Sequence, residues 1–242
     1  MTEAQKTHRL VKDPKMTARM LADYMAASET AGRAIVQKSK YPKIAQVFQH
    51  GEAKILISRF VRSGSTDTAE LTEEAQKIRD RMADSDFERD SYDHNADYID
   101  RFAAMFAKLN LPDVELLPPG KSEPMNLKGV KVTSDIHWRL RRLTKKNAVK
   151  VGAAMLRYTK GRALAEEVAD WQSAIILGHL RQVGVEEAAE PEAKLCITVD
   201  AYAGKWRPAP TDSVRRFNQT KDACATIAEW WPNIKPPAGA IF

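Results

Sequence analysis

Apolar residues recur along this chain at helical spacing in its first half and at strand spacing in much of its second. Leu21, Tyr24 and Met25 predict a helix starting near Thr17. Ser28 reads as the N-cap of a second helix, with Ala31, Ile35 and Val36 on its apolar side and Arg33, Lys38 and Lys40 on its basic side. Tyr41-Pro42 ends that run, and a third helix is expected with Ile44, Val47, Phe48, Ile55, Leu56 and Phe60. Small polar residues from Ser63 to Thr68 punctuate the chain. Beyond them Tyr98, Phe102, Met105, Phe106 and Leu109 form one stripe, predicting a long helix over about Phe87 to Leu109.

The period then changes. Val114 to Leu117, held between prolines, reads as a short strand, and Gly120 to Gly129 as a turn-rich connection. From Val130 the pattern alternates: Val132, Ser134, Ile136, Trp138 and Leu140 share one side, and Lys131, Thr133, Asp135, His137 and Arg139 the other. The polar segment Leu143 to Asn147 joins this run to a second, Ala148 to Tyr158, whose apolar centre predicts a strand covered on both faces. A helix over about Ala163 to Gln182, a strand over Leu195 to Tyr202 and a last helix facing Val214, Phe217, Cys224, Ile227 and Trp231 inward complete the pattern.

These elements predict an α+β or α/β fold, a mixed sheet with flanking helices behind a helical N-terminal part. The divisions expected are a loose arm over 1–15, a helical domain over 16–64 and a mixed-sheet domain over 65–242, with the boundary between 64 and 86. The formal charge of +6 leans toward a polyanionic partner such as duplex DNA. Segment 67–100 mixes many acids with fewer bases, as expected of solvated helices, and offers a surface to a protein partner. The first residues are polar, without the apolar core of a secretory signal, and no apolar run approaches the ~20 residues that span a bilayer. A cytoplasmic protein without a membrane partner is therefore expected, with Cys196 and Cys224 as buried thiols.

Candidate chemistry is sparse. GxGxxG, P-loop, GxSxG and HExxH patterns are absent. Asp90, Asp93, His94 and Asp97 have the three- and four-residue spacing of a helical metal site, and equally that of a wet helix face. The helix, Ala-Ala-Ser turn and helix of Leu21 to Val36 resemble a helix-turn-helix, which would aim Glu29, Thr30 and Arg33 at a major groove and set Lys38, Lys40 and Lys43 on phosphates.

From residue 87 the expected order is helix, short strand, strand, strand, helix, strand, helix. This order resembles the PD-(D/E)XK nuclease fold, with its α-β-β-β-α-β core. The resemblance implies a Mg²⁺ held by an acid on the second core strand and another on the third, where an acid-spacer-Lys triplet also supplies the ammonium. Asp135 stands where the first acid and metal ligand would be. The third strand offers only Ala153-Ala154-Met155 or Met155-Leu156-Arg157, without the acid, and Arg157 cannot stand in for Lys as a proton carrier. Relocation of the second acid to the next helix nominates Glu166 or Glu167, with Lys131, Lys150 or Lys160 supplying the ammonium.

Three readings follow. The first is a nucleic-acid-associated protein with a degenerate nuclease-like domain, contacting duplex phosphates through Arg139, Arg141, Arg142, Lys145, Lys146 and Lys150. The second is an active Mg²⁺-dependent nuclease. The third is an adaptor subunit of a larger assembly.

Overall fold

Side-chain caps set several of the helix starts that the sequence predicts. The computed structural model describes residues 6–44, 50–109, 114–184 and 189–242; Val47 and Phe48, expected on the third helix, lie outside these. Helix α1 (Ala18–Met25) begins where Thr17 Oγ1 accepts from the Met20 amide at 3.1 Å, and α2 (Glu29–Lys40) where Ser28 Oγ accepts from Ala31 N at 3.4 Å. Helix α3 (Gly51–Ser63) stops on Gly64, whose φ of 70° suits a residue without Cβ. Helix α4 (Ala69–Arg79) leads to α5 (Asp86–Phe106), whose start is closed reciprocally: Ser85 Oγ accepts from Glu88 N and the Glu88 carboxylate from Asp84 N. Helices α6 (Glu166–Val183) and α7 (Ser213–Trp230) come later, and a single 3-10 turn, Trp231–Asn233, follows α7.

Among the described residues there are eight strands: β1 (Lys15–Thr17), β2 (Glu115–Leu117), β3 (Met125–Leu127), β4 (Val130–Thr133), β5 (Trp138–Leu143), β6 (Val149–Arg157), β7 (Glu190–Asp200) and β8 (Lys205–Pro208). The main sheet has the order β2-β5-β6-β7-β8. Only its β6–β7 pair is parallel, and α6 makes the crossover between them. The hairpin of β5 and β6 closes as expected, with Asn147 in the left-handed region at φ 59° and its amide bonded to Thr144 O at 2.8 Å. Gly152 sits at a register shift of β6 against β7, where a Cβ would stand 2.1 Å from Leu195 O, so no larger residue fits.

Several expectations change. The alternating run from Val130 to Leu140 is two strands rather than one. It breaks at Ser134–His137; β4 leaves for a second sheet of order β1-β4-β3, and only β5 joins the main sheet. Alternation persists across the break because both strands have one buried face, so period alone cannot locate it. The supposed turn-rich connection contains β3, paired with β4 through Lys128-Gly129, both at positive φ. Val214, expected inward, is 54 % exposed.

The sheet carries a core on each side, and the N-terminal helices are divided between them. On one face Trp138, Ala154, Leu156 and Ile197 pack with residues of α3, α4 and α5. On the other Ala153, Met155 and Cys196 pack with α1, Val36 of α2, α6 and α7. Segment 6–15, expected to be loose, is tied in: Thr7 N and His8 N donate to Ile241 O at 3.0 and 3.1 Å, Val11 N donates to Lys40 O at 2.9 Å, and β1 pairs in parallel with β4. No helix among the described residues is long and apolar enough to cross a membrane.

Candidate anion-binding cleft

Parallel strands joined by a crossover helix leave a crevice at their carboxyl ends, where the chain must leave the sheet. Here the ends of β6 and β7 are Arg157 and Asp200, opposite each other in register. Asp200 is fully engaged by backbone: it accepts from Leu164 N at 2.7 Å, Tyr202 N at 3.0 Å and Ala203 N at 3.2 Å. It thereby fixes both the approach to α6 and the turn after β7. Arg157, only 4 % exposed, forks onto Asp23 of α1 and has Arg19 O 3.4 Å away; its Nε has no partner among the described residues. Burial lowers the Arg157 pKa most and Asp23 offsets it, yet a guanidinium starts so high that it stays charged.

Above this pair lies a cleft of about 610 Å³, walled by α1, α2 and the approach to α6. Arg19, Lys38 and Arg162 line it, all exposed and none in an ion pair among the described residues. Its two carboxylates, Asp23 and Asp200, are occupied by Arg157 and by backbone amides, so the open charge is positive. The first turn of α6 stands at this cleft without a side-chain cap. Its first acid, Glu166, turns instead to Arg207 of β8 at 2.9 Å.

The other side of the β6 end is aromatic. Tyr158 stacks on Tyr98 with centroids 4.4 Å apart and donates to the Asp97 carboxylate, which also accepts from Arg101 at 3.0 Å. Burial alone would raise the Asp97 pKa, but these two hydrogen bonds and the Arg101 charge bring it below its ordinary value. His50 meets both rings edge-on. Burial first, then His94, Lys54 and Arg19, lower its pKa to about 4.

Asp135 lies near this end of the sheet but gathers no metal site. Its carboxylate is 70 % exposed with Lys54 Nζ 4.0 Å away, and the neighbouring His137 is buried, its Nδ1 accepting from Leu156 N at 3.3 Å. Glu166 is committed to Arg207, Glu167 and Lys160 are exposed, and Lys131 lies on β4 in the second sheet. Among the described residues no three His, Cys, Asp or Glu side chains converge to hold a metal ion; for the α5 cluster the reason is visible, since Asp97 points to Tyr158 and Arg101.

The expected phosphate contacts separate into bound and open groups. Arg139 Nε donates to Pro118 O at 2.9 Å, Arg141 lies 3.5 Å from Glu115, Arg142 forks onto Glu192, and Lys150 pairs with Glu190. These cations hold the sheet edge together. Lys145 and Lys146 at the hairpin tip stay exposed. Lys40 is buried, its ammonium donating to the carbonyls of Trp231, Pro232 and Ile234, and so cannot reach a phosphate. Arg33 pairs with Glu29 at 2.8 Å and lies over the Trp230 ring, while Lys43 is exposed. Of the expected set only Lys38 reaches the cleft. Arg19 and Arg162 were missed; the signal available was the strand–helix–strand order, which marks the residues just after Tyr158 as crevice-forming.

No family model matches this chain, and neither does any curated protein.

Proposed function

We propose that this protein binds nucleic acid, with the strand phosphates seated at the cleft above Arg157 rather than at the β5–β6 hairpin. The observation that carries the reading is the trio Arg19, Lys38 and Arg162: three open cations around one crevice whose carboxylates are already occupied. The antiparallel run β2-β5-β6, the α6 crossover and the parallel return of β7 support a nuclease-like core. The exposure of Asp135, which joins no metal-holding cluster among the described residues, supports a core that binds without cutting. Fluorescence anisotropy with a labelled 20-base-pair duplex and its single strand tests this. Affinity falls steeply with salt, and the Arg19→Glu/Arg162→Glu variant weakens binding more than Lys145→Glu/Lys146→Glu. Binding that is indifferent to salt, or that depends on the hairpin pair alone, refutes the cleft. Plasmid incubated with Mg²⁺ or Mn²⁺ stays intact; cleavage lost in Asp135→Ala would restore the nuclease reading.

One observation favours the adaptor reading beside this one. Met82 and Phe87, 93 % and 78 % exposed, flank the turn between α4 and α5 within the acidic segment. A partner seated there would be captured from host extract by wild type and not by Met82→Asp/Phe87→Asp.

A further inference from the structure

The far end of α6 carries a second concave site, unrelated to the cleft. It encloses about 520 Å³, within the range of small-ligand pockets, between the β3–β4 turn, the last turns of α6 and the first turns of α7. Three cations line it: Lys128 from the turn, Arg181 from α6 and Lys221 from α7. None makes an ion pair among the described residues, and the lining contains no carboxylate. Lys221 instead holds its ammonium 4.8 Å from the centre of the Phe217 ring and donates to Asn218 Oδ1 at 3.4 Å.

Two local costs converge on the same place. Lys128 adopts φ 49°, a left-handed conformation that favours Gly or Asn, and the hairpin thereby carries a lysine at the rim of the pocket. Val214 leaves an apolar side chain more than half exposed at the start of α7, where it lines the pocket. Phe217 continues this apolar wall. Its ring is seated so tightly on Gly178 that a Cβ there would fall 2.2 Å from Cδ2. The amides of Gln182 and Asn218 stand on the exposed rim; Gln182 offers both a donor and an acceptor, while Asn218 Oδ1 already accepts from Lys221 and its Nδ2 remains to donate.

We infer that this pocket binds a free nucleoside phosphate. The chemistry divides accordingly: three cations for the phosphate oxygens, an apolar wall of Val214 and Phe217 for the base, and two amides for the base edge. A bare anion would use the cations alone and leave the wall without purpose. A nucleic-acid strand end carries the same groups, so the experiment separates the two sources.

Isothermal titration calorimetry uses ATP and GTP as probes, with tripolyphosphate, adenosine and a 5′-phosphorylated octanucleotide as comparison arms. At least one nucleotide binds more tightly than tripolyphosphate and adenosine. Arg181→Gln and Lys221→Gln each weaken it about tenfold, the loss of one charge-assisted contact, and Val214→Glu abolishes it. All three positions are at least partly exposed, so these variants fold. Equal binding of tripolyphosphate overturns the inference, as does binding of the octanucleotide without either free nucleotide. A loss on Arg162→Glu equal to that on Arg181→Gln places the nucleotide in the other cleft and overturns it too.

Discussion

Removing Asp23 tests whether the cleft rests on a charge-paired guanidinium. Arg157 stays buried in Asp23→Ala, and among the described residues only Arg19 O, 3.4 Å away, is still placed to accept from it. Breaking a fully buried pair by deleting one partner costs ~3–5 kcal/mol. Asp23 is 38 % exposed and the cleft admits water, which brings the expected cost to about 2–3 kcal/mol. Arg157→Met leaves a carboxylate that can turn to solvent, and is expected to cost about 1 kcal/mol. The double variant then costs little more than Arg157→Met alone, a coupling of roughly 1.5–2 kcal/mol. Urea denaturation followed by tryptophan fluorescence reads these values. With a slope of ~2–3 kcal/mol per molar, the midpoint of Asp23→Ala moves by about 1 M. An Asp23→Ala cost under about 0.5 kcal/mol, or costs that simply add in the double variant, would show that Arg157 is stabilised by something other than this pair.

Lys40→Met removes a donor from three carbonyls, leaving Ile234 O with Tyr41 Oη–H and Trp231 O with Ile234 N, and is expected to cost about 2 kcal/mol, lowering Tm by roughly 4–8 °C, while the exposed Lys38→Met leaves Tm within about 1 °C. Gly152→Ala forces a Cβ onto the backbone of the neighbouring strand and is expected to cost at least about 3 kcal/mol, read as loss of soluble folded protein by circular dichroism. His50 is held neutral by burial and by the charges of His94, Lys54 and Arg19, with its pKa brought from 6.5 to about 4. Its neutral form stabilises the fold fully above pH 6.5, and that contribution is lost as pH falls toward about 4. His137 and His179, also lowered by burial, act in the same direction below 6.5, so His50→Phe reduces the loss of urea stability between pH 7 and 5 without abolishing it.

Local signals carried most of the elements. Ser28, Tyr41-Pro42 and Gly64 mark helix ends by their own chemistry, and the apolar centre of β6 declares a strand buried on both faces. What escaped depends on distant partners. β1 is three residues long and exists because β4 lies beside it, more than a hundred residues away in sequence. β8 depends in the same way on β7, since Lys205–Pro208 has no alternation of its own. The site was obscured for the same reason. A lysine on a basic helix face reads identically whether it is exposed, as Lys38 is, or buried on the carbonyls of Trp231 to Ile234, as Lys40 is. The hairpin arginines look open until Glu115 and Glu192 are brought to them by pairing of the sheet.

The joining of segment 7–41 to segment 231–241 has a consequence for folding. Lys40 and Tyr41 reach the carbonyls of Trp231 to Ile234, Trp231 Nε1 reaches Lys12 O, and Thr7 and His8 bond to Ile241. Helix α2 shares a core with α6 and α7, yet the carbonyls that take up its Lys40 ammonium lie 191 to 194 residues further along. Each such closure spans nearly the whole chain, which slows folding relative to a protein of local contacts. Until Trp231 to Ile234 are in place, α2 lacks the carbonyls that hold Lys40, so its seating is a late event in folding rather than a local one.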